Sequence, residues 1–237
     1  MAQTRSFGKR LLRWLGLLIV AGLAFSIGSV ALLRWIDPFT STFMLRDRAV
    51  ALSTGDTTYR FAHQWVDWQN ISPSVKVAVI ASEDQKFSEH SGFDFESMEK
   101  AWTQNKRGRK VRGGSTISQQ VAKNLYLWPG RSYVRKGIEA YFTVLIETLW
   151  SKQRILEVYL NSAEFGKGVF GVEAASRRYF GKSAAKLNAQ EGALLAAVLP
   201  APKRLLVNKP SGFVRARQAW IARQVAHLGG PSALNDL

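Results

Sequence analysis

The chain has 237 residues, a hydrophobic content of 46% and no cysteine, so it can bury one sizeable core but has neither disulfides nor a cysteine-ligated metal. Its three histidines, His63, His90 and His227, argue against a zinc site. Its 33 Lys and Arg against 17 Asp and Glu leave a net charge of +16, which points to an acidic partner: nucleic acid, anionic lipid or a phosphorylated substrate.

The N-terminus narrows that choice. Trp14 to Leu33 carries no charged side chain, and a helix of that length spans about 30 Å, the hydrocarbon core of a bilayer. A cleaved leader would have a shorter apolar region, about 7–15 residues. Arg5, Lys9, Arg10 and Arg13 precede the run and no acid comes before Asp37. The positive-inside rule therefore leaves the N-terminus in the cytoplasm and sends the remainder across. Such a chain has its basic surface toward lipid headgroups or a lipid-linked pyrophosphate rather than nucleic acid. The expected organisation is a basic tail (1–13), a transmembrane helix (14–36), a linker and membrane-proximal segment (37–70) and one mainly α-helical domain (71–237).

Asp37-Pro38 ends the membrane helix, and 38–70 reads as irregular or weakly stranded. Ser72-Pro73 is a helix start, and the nearly all-apolar run after it predicts a buried helix to about Phe87. Asp94 can cap a second helix with Phe95 and Met98 on its apolar side. A basic, glycine-containing loop, Lys106 to Gly114, follows. Further helices are expected over Ser115–Leu127, Tyr133–Trp150, Gln153–Asn161, Val172–Tyr179, Ala189–Leu199 and Val214–Leu228, with no sheet.

The helix from Ser115 is the most polar of these. Thr116, Gln119, Gln120 and Lys123 recur at helical spacing and share a face, while Ile117, Val121 and Leu125 form an apolar stripe. Hydroxyls, amides and a lysine at a helix start suit an anionic, oxygen-rich ligand, although a solvated face has the same pattern. Glu83-Asp84 closes the buried helix, where desolvation can tune a carboxylate for proton transfer; a surface acidic pair is the alternative. Glu139 lies four residues after Arg135 and three after Lys136, the spacing of ordinary helix salt bridges. Two carboxylates in one cleft are the usual apparatus of glycosidic-bond chemistry. Lys123 and Arg131 add cations able to stabilise a departing pyrophosphate.

These stretches together resemble the bacterial peptidoglycan glycosyltransferases, glycosyltransferase family 51. The resemblance runs from about Ser72 to Pro202 through five ordered motifs: Glu83 to Gly92, Gly114 to Leu125, Arg135 to Glu139, Ile155 to Asn161, and Tyr179 to Lys182. It implies a lysozyme-like helical domain with a membrane-embedded subregion between the first two motifs. By this resemblance Glu83 is the base that deprotonates the acceptor sugar's 4-hydroxyl. Lys123 and Arg131 hold the donor pyrophosphate, Glu139 supports the donor side, and Ser115, Thr116, Gln119 and Gln120 line it. Asp84, Arg135 and Lys136 are supporting residues. No cofactor is required, though a divalent cation (Mg or Mn) at the pyrophosphate would promote activity. The implied substrates are lipid II and the growing lipid-linked glycan chain at the bacterial inner membrane, with the catalytic domain periplasmic and cell-wall synthesis or division proteins as partners. Only 36 residues follow Ala201, too few for a transpeptidase domain, so none is expected. A lytic glycosidase acting on finished peptidoglycan and a non-enzymatic membrane scaffold are the rival readings.

Overall fold

The computed structural model describes residues 2–106, 114–130 and 132–237. It comprises two compact units, Met1–Asp37 and Pro38–Leu237. The first is a single helix, α1 (Ala2–Leu32). Its stretch Leu12–Leu32 has a mean hydropathy of 2.3 and is long and apolar enough to cross a membrane. The helix also takes in the basic tail from Ala2, so no break separates 2–13 from the apolar run.

The second unit is mainly helical. It opens with α2 (Thr42–Ser53), a helix in the stretch expected to be irregular. The Ser41 hydroxyl caps it, accepting from the Met44 N–H at 3.2 Å. Thr42 Oγ1 lies 3.0 Å from the Asn124 carbonyl and 2.5 Å from that of Leu127. These contacts tie α2 to the end of α5 (Ile117–Tyr126). A small sheet is present as well, contrary to the helix-only expectation. Strand β1 (Ala62–His63) pairs in parallel with β3 (Val169–Phe170), which pairs antiparallel with β2 (Glu164–Gly166).

Helix α3 (Pro73–Glu83) starts as its sequence dictates, with Ser72 as cap and proline at the first position. Val75 to Ala81 are buried without interruption. The helix stops at Glu83 rather than near Phe87. Asp84 leaves helical geometry (φ −163°, ψ 77°), and its carboxylate is held by His90 in the following loop and by the Ile117 N–H of another element. Helix α4 (Phe95–Lys106) is capped by Asp94, whose Oδ1 accepts from the Ser97 N–H at 2.9 Å. Phe95 and Met98 are exposed on it.

Helices α6 (Tyr133–Leu149) and α7 (Lys152–Ser162) pack with α5 into one layer. Tyr126 of α5 stacks on Phe142 of α6 with ring centroids 4.2 Å apart. Helix α8 (Val172–Phe180) ends at Gly181 in the left-handed region (φ 67°). Helices α9 (Ala189–Val198) and α10 (Gly212–His227) pack with α3 into a second layer. At Gly192 of α9 an added Cβ would lie 2.9 Å from the Val75 Cα. Only glycine lets the α9 backbone approach α3 so closely. The end of α3 thus sits on a closely packed stem and faces α5.

Candidate active site

Glu83 is the last residue of α3, and three side chains donate to its carboxylate. Ser82 Oγ lies 2.9 Å from Oε1, Gln120 Nε2 3.1 Å from Oε2, and Arg217 Nη2 3.4 Å from Oε1. The Gln120 amide is itself oriented. Tyr159 OH donates to its Oε1 at 3.2 Å, which leaves the NH2 end for Glu83. Complete burial, then the nearby charges of Glu83 and Asp84, push the Tyr159 hydroxyl well above its usual pKa and keep it a donor.

Asp84 faces another way. It is buried, and its Oδ2 accepts the Ile117 N–H at 2.9 Å while its Oδ1 accepts from His90 Nε2 at 2.9 Å. The Gly92 N–H donates to His90 Nδ1 at 3.1 Å, so the ring hydrogen sits on Nε2. Lys152 Nζ then braces the loop, donating to the His90 carbonyl and, at 2.8 Å, to Glu147. Ser118 Oγ also donates to Glu147. The residue after Glu83 therefore fastens the start of α5, the helix that carries Gln120 and Lys123.

The polar face of α5 divides into two pairs. Thr116 and Gln119 are buried and close a capping box. Thr116 Oγ1 accepts the Gln119 N–H at 3.2 Å, and Gln119 Oε1 accepts the Thr116 N–H at 3.1 Å. Thr116 Oγ1 also donates to the Gly92 carbonyl at 2.7 Å. The helix begins at Ile117 because Thr116 is its cap, and Ser115 lies half-buried in the approach. Gln120 is hydrogen-bonded to Glu83, and Lys123 follows one turn further along the helix.

Lys123 is half-buried, and among the described residues its ammonium has no ion pair; it lies 5.6 Å from the Phe43 ring centroid. Burial lowers its pKa from the ordinary lysine value. Glu139 and Glu83 act against that shift, and Arg135 and Lys136 reinforce it. One ammonium therefore feels both candidate carboxylates. Glu139 is 3% exposed, and both its oxygens are occupied: Arg135 Nη1 lies 2.7 Å from Oε2 and Lys136 Nζ 2.5 Å from Oε1. Held between two cations, it is unavailable as a free base but able to orient them. Arg131 and residues 107–113 of the basic loop lie outside the described residues. Among the described residues no group of three or more His, Asp or Glu can hold a metal ion. With Glu139 engaged by Arg135 and Lys136, the described residues do not form a cage for a divalent cation.

Ser82, Tyr159 and Arg217 were not singled out from the sequence. Tyr159 lies inside the Ile155 to Asn161 motif, but Arg217 is one of many basic residues and carries no local signal. A family profile described as transglycosylase matches residues 51–226, spanning all these positions. The chain belongs to the transglycosylase family. Relatives of this transglycosylase resemble it over nearly their whole length. A biosynthetic peptidoglycan transglycosylase of Pseudomonas entomophila (strain L48) is 51% identical over 227 residues, 96% of each chain. One of Shewanella oneidensis is 52% identical over 221 residues, covering 93% of this chain and 94% of the relative. One of Xanthomonas campestris pv. campestris (strain B100) is 50% identical over 226 residues, covering 95% and 92%.

Proposed function

We propose that this transglycosylase polymerises peptidoglycan glycan strands, joining lipid II disaccharides by β-1,4 linkage with release of undecaprenyl pyrophosphate. The observation that carries the reading is the Glu83–Gln120 hydrogen bond of 3.1 Å, which brings the end of α3 and the Lys123 face of α5 together. In the proposed reaction the acceptor's 4-hydroxyl attacks C1 of the donor sugar. The C1–O bond to the pyrophosphate breaks, and Glu83 takes the hydroxyl proton. The new C–O bond forms on the opposite face, so an α-linked donor gives a β product. Lys123, with Arg131, stabilises the negative charge that grows on the leaving pyrophosphate, an effect worth about 100- to 1,000-fold in kcat for a single well-placed donor. Glu139 keeps Arg135 and Lys136 at the donor side. Thr116 and Gln119 serve by fixing the start of α5, and Ser115 and Gln120 line the donor side.

The substrate would be held in the membrane by its lipid, and two features favour the same location for the enzyme. The apolar stretch of α1 would span the inner membrane with the basic tail in the cytoplasm and the catalytic unit in the periplasm. Exposed Phe95 and Met98 on α4 would meet the lipid surface. A lytic glycosidase would also use a glutamate but has no pyrophosphate to hold, and the cations about Lys123 disfavour it.

The test is to incubate the protein with labelled lipid II and, separately, with purified sacculi. Polymer from lipid II and intact sacculi are expected, and Glu83→Gln should abolish polymerisation while membrane binding and folding persist. Sacculus degradation without polymer would refute the proposal. Unchanged polymerisation by Glu83→Gln would remove that residue from the mechanism.

A further inference from the structure

Helix α10 lies beyond the stretch whose motifs carry the family resemblance, yet it reaches the proposed base. Val214, Arg217, Ile221 and Gln224 share one face of the helix at helical spacing. Val214 and Ile221 are fully buried and dock α10 on the core. Arg217 and Gln224 meet the segment around Glu83. Gln85 Nε2 donates to Gln224 Oε1 at 3.2 Å and to the Ala81 carbonyl at 3.1 Å. Arg217 Nη2 donates to Ser82 Oγ at 2.9 Å and lies 3.4 Å from Glu83 Oε1, with the two ionic side chains only 14% and 12% exposed.

The geometry forms a directed chain. The guanidinium donates to the Ser82 oxygen, and the Ser82 hydrogen is directed to Glu83 Oε1 at 2.9 Å in preference to the Ala196 carbonyl at 3.3 Å. A cation at the head of such a chain polarises the hydroxyl and strengthens its bond to the carboxylate. Gln120 holds the other oxygen from the α5 side. The carboxylate is thus gripped from two helices, and rotation about its last torsion would break bonds on both sides.

We propose that Arg217 is a positioning residue for the polymerisation reaction: acting directly and through Ser82, it fixes the Glu83 carboxylate in the orientation that receives the acceptor's proton. This rests on the reading of Glu83 as the base. Arginine suits the task because Nη2 of its planar, weakly hydrated head reaches both Ser82 and Glu83 while its charge stays fixed; a lysine offers the charge on a more strongly hydrated and more flexible head.

The experiment compares Arg217→Gln, Arg217→Lys, Ser82→Ala, the Ser82→Ala/Arg217→Gln double variant and Glu83→Gln in full-length protein, with lipid II polymerisation and thermal unfolding measured in the same detergent. Because Val214 and Ile221 dock the helix independently, Arg217→Gln is expected to melt close to wild type. Its kcat should fall about 10- to 100-fold, the loss typical of a small misplacement of a reacting group, with KM for lipid II within about twofold of wild type. Arg217→Lys should recover part of the loss, and the double variant should lose little more than Arg217→Gln because both changes break one chain. A raised KM with kcat retained would make Arg217 a substrate-binding cation and overturn the proposal. Loss of activity in step with a lower melting midpoint would reduce Arg217 to a packing role and overturn it equally. Wild-type kinetics in Arg217→Gln beside an inactive Glu83→Gln would defeat this inference alone, whereas an active Glu83→Gln would defeat the base assignment itself.

Discussion

Replacing Asp84 by asparagine isolates the tether between the proposed base and α5. The carboxylate accepts two N–H bonds, from Ile117 and from His90 Nε2, each at 2.9 Å. An asparagine has one oxygen to offer and must turn its NH2 toward the other donor. His90 cannot relieve the conflict by moving its hydrogen, because Nδ1 already accepts from the Gly92 N–H. The site is closed to water, with the Asp84 side chain 2% and the His90 side chain 10% exposed. One bond to a charged acceptor is lost and one buried donor is stranded, a cost of about 3 kcal/mol. For a protein of this size that corresponds to a fall of about 6–12 °C in melting midpoint. Calorimetry in detergent measures the fall, and lipid II polymerisation in parallel should decline because the start of α5 loses its hold beside Glu83. A variant melting within about a degree of wild type would refute the tether. Activity lost at an unchanged midpoint would move Asp84 into the chemistry.

Two further outcomes follow from charge and burial. Burial disfavours the Lys123 ammonium and lowers its pKa, so the folded state holds that proton less tightly than the unfolded chain does, and removing the charge relieves the fold. Lys123→Met should therefore melt higher than wild type while losing about 100- to 1,000-fold in kcat; a lower midpoint would contradict the burial argument. Glu164 beside Lys203 and Asp47 is the second case: burial raises its carboxyl to about 7, Lys203 opposes the shift and Asp47 adds to it. A carboxyl raised from 4.5 contributes stability that is complete below its unfolded value and is lost as pH rises through about 7. Thermal scans of Glu164→Gln against wild type should show the variant gaining relative stability from pH 5 to pH 7, and a pH-independent difference would rule out the shift.

Most of the helices were legible because they carry local signals. Ser72-Pro73 and Asp94 start helices where the sequence placed them, and Gly181 stops one. Helix α2 escaped because Thr42–Ser53 mixes apolar and charged residues around its circumference, leaving Ser41 as its main mark. The sheet escaped because its strands are two or three residues long and depend on pairing Ala62 with Val169, over a hundred residues apart. Helix α3 ends earlier than its apolar pattern suggests for a related reason: Asp84 leaves the helix to serve an N–H of another element. The proposed site was partly legible for the same mix of reasons. Glu83 stood out at the close of an apolar run and Lys123 on a polar face. The spacing of Thr116 and Gln119 suits a ligand face, yet the same spacing is that of a capping box, which is what the two form. Arg217 gave no warning, since only tertiary packing brings α10 to Ser82.

The grip on Glu83 also bears on how such a protein could escape an inhibitor seated against its base. Ser82 is tied to α10, Gln120 to α7 through Tyr159, and the stem behind them tolerates no side chain at Gly192. A substitution that spoils an inhibitor's contacts with these groups would also turn or free the carboxylate. Viable resistance is thereby confined to residues at the rim, and a compound that draws its affinity from Ser82, Glu83 and Gln120 leaves the protein few evolutionary exits.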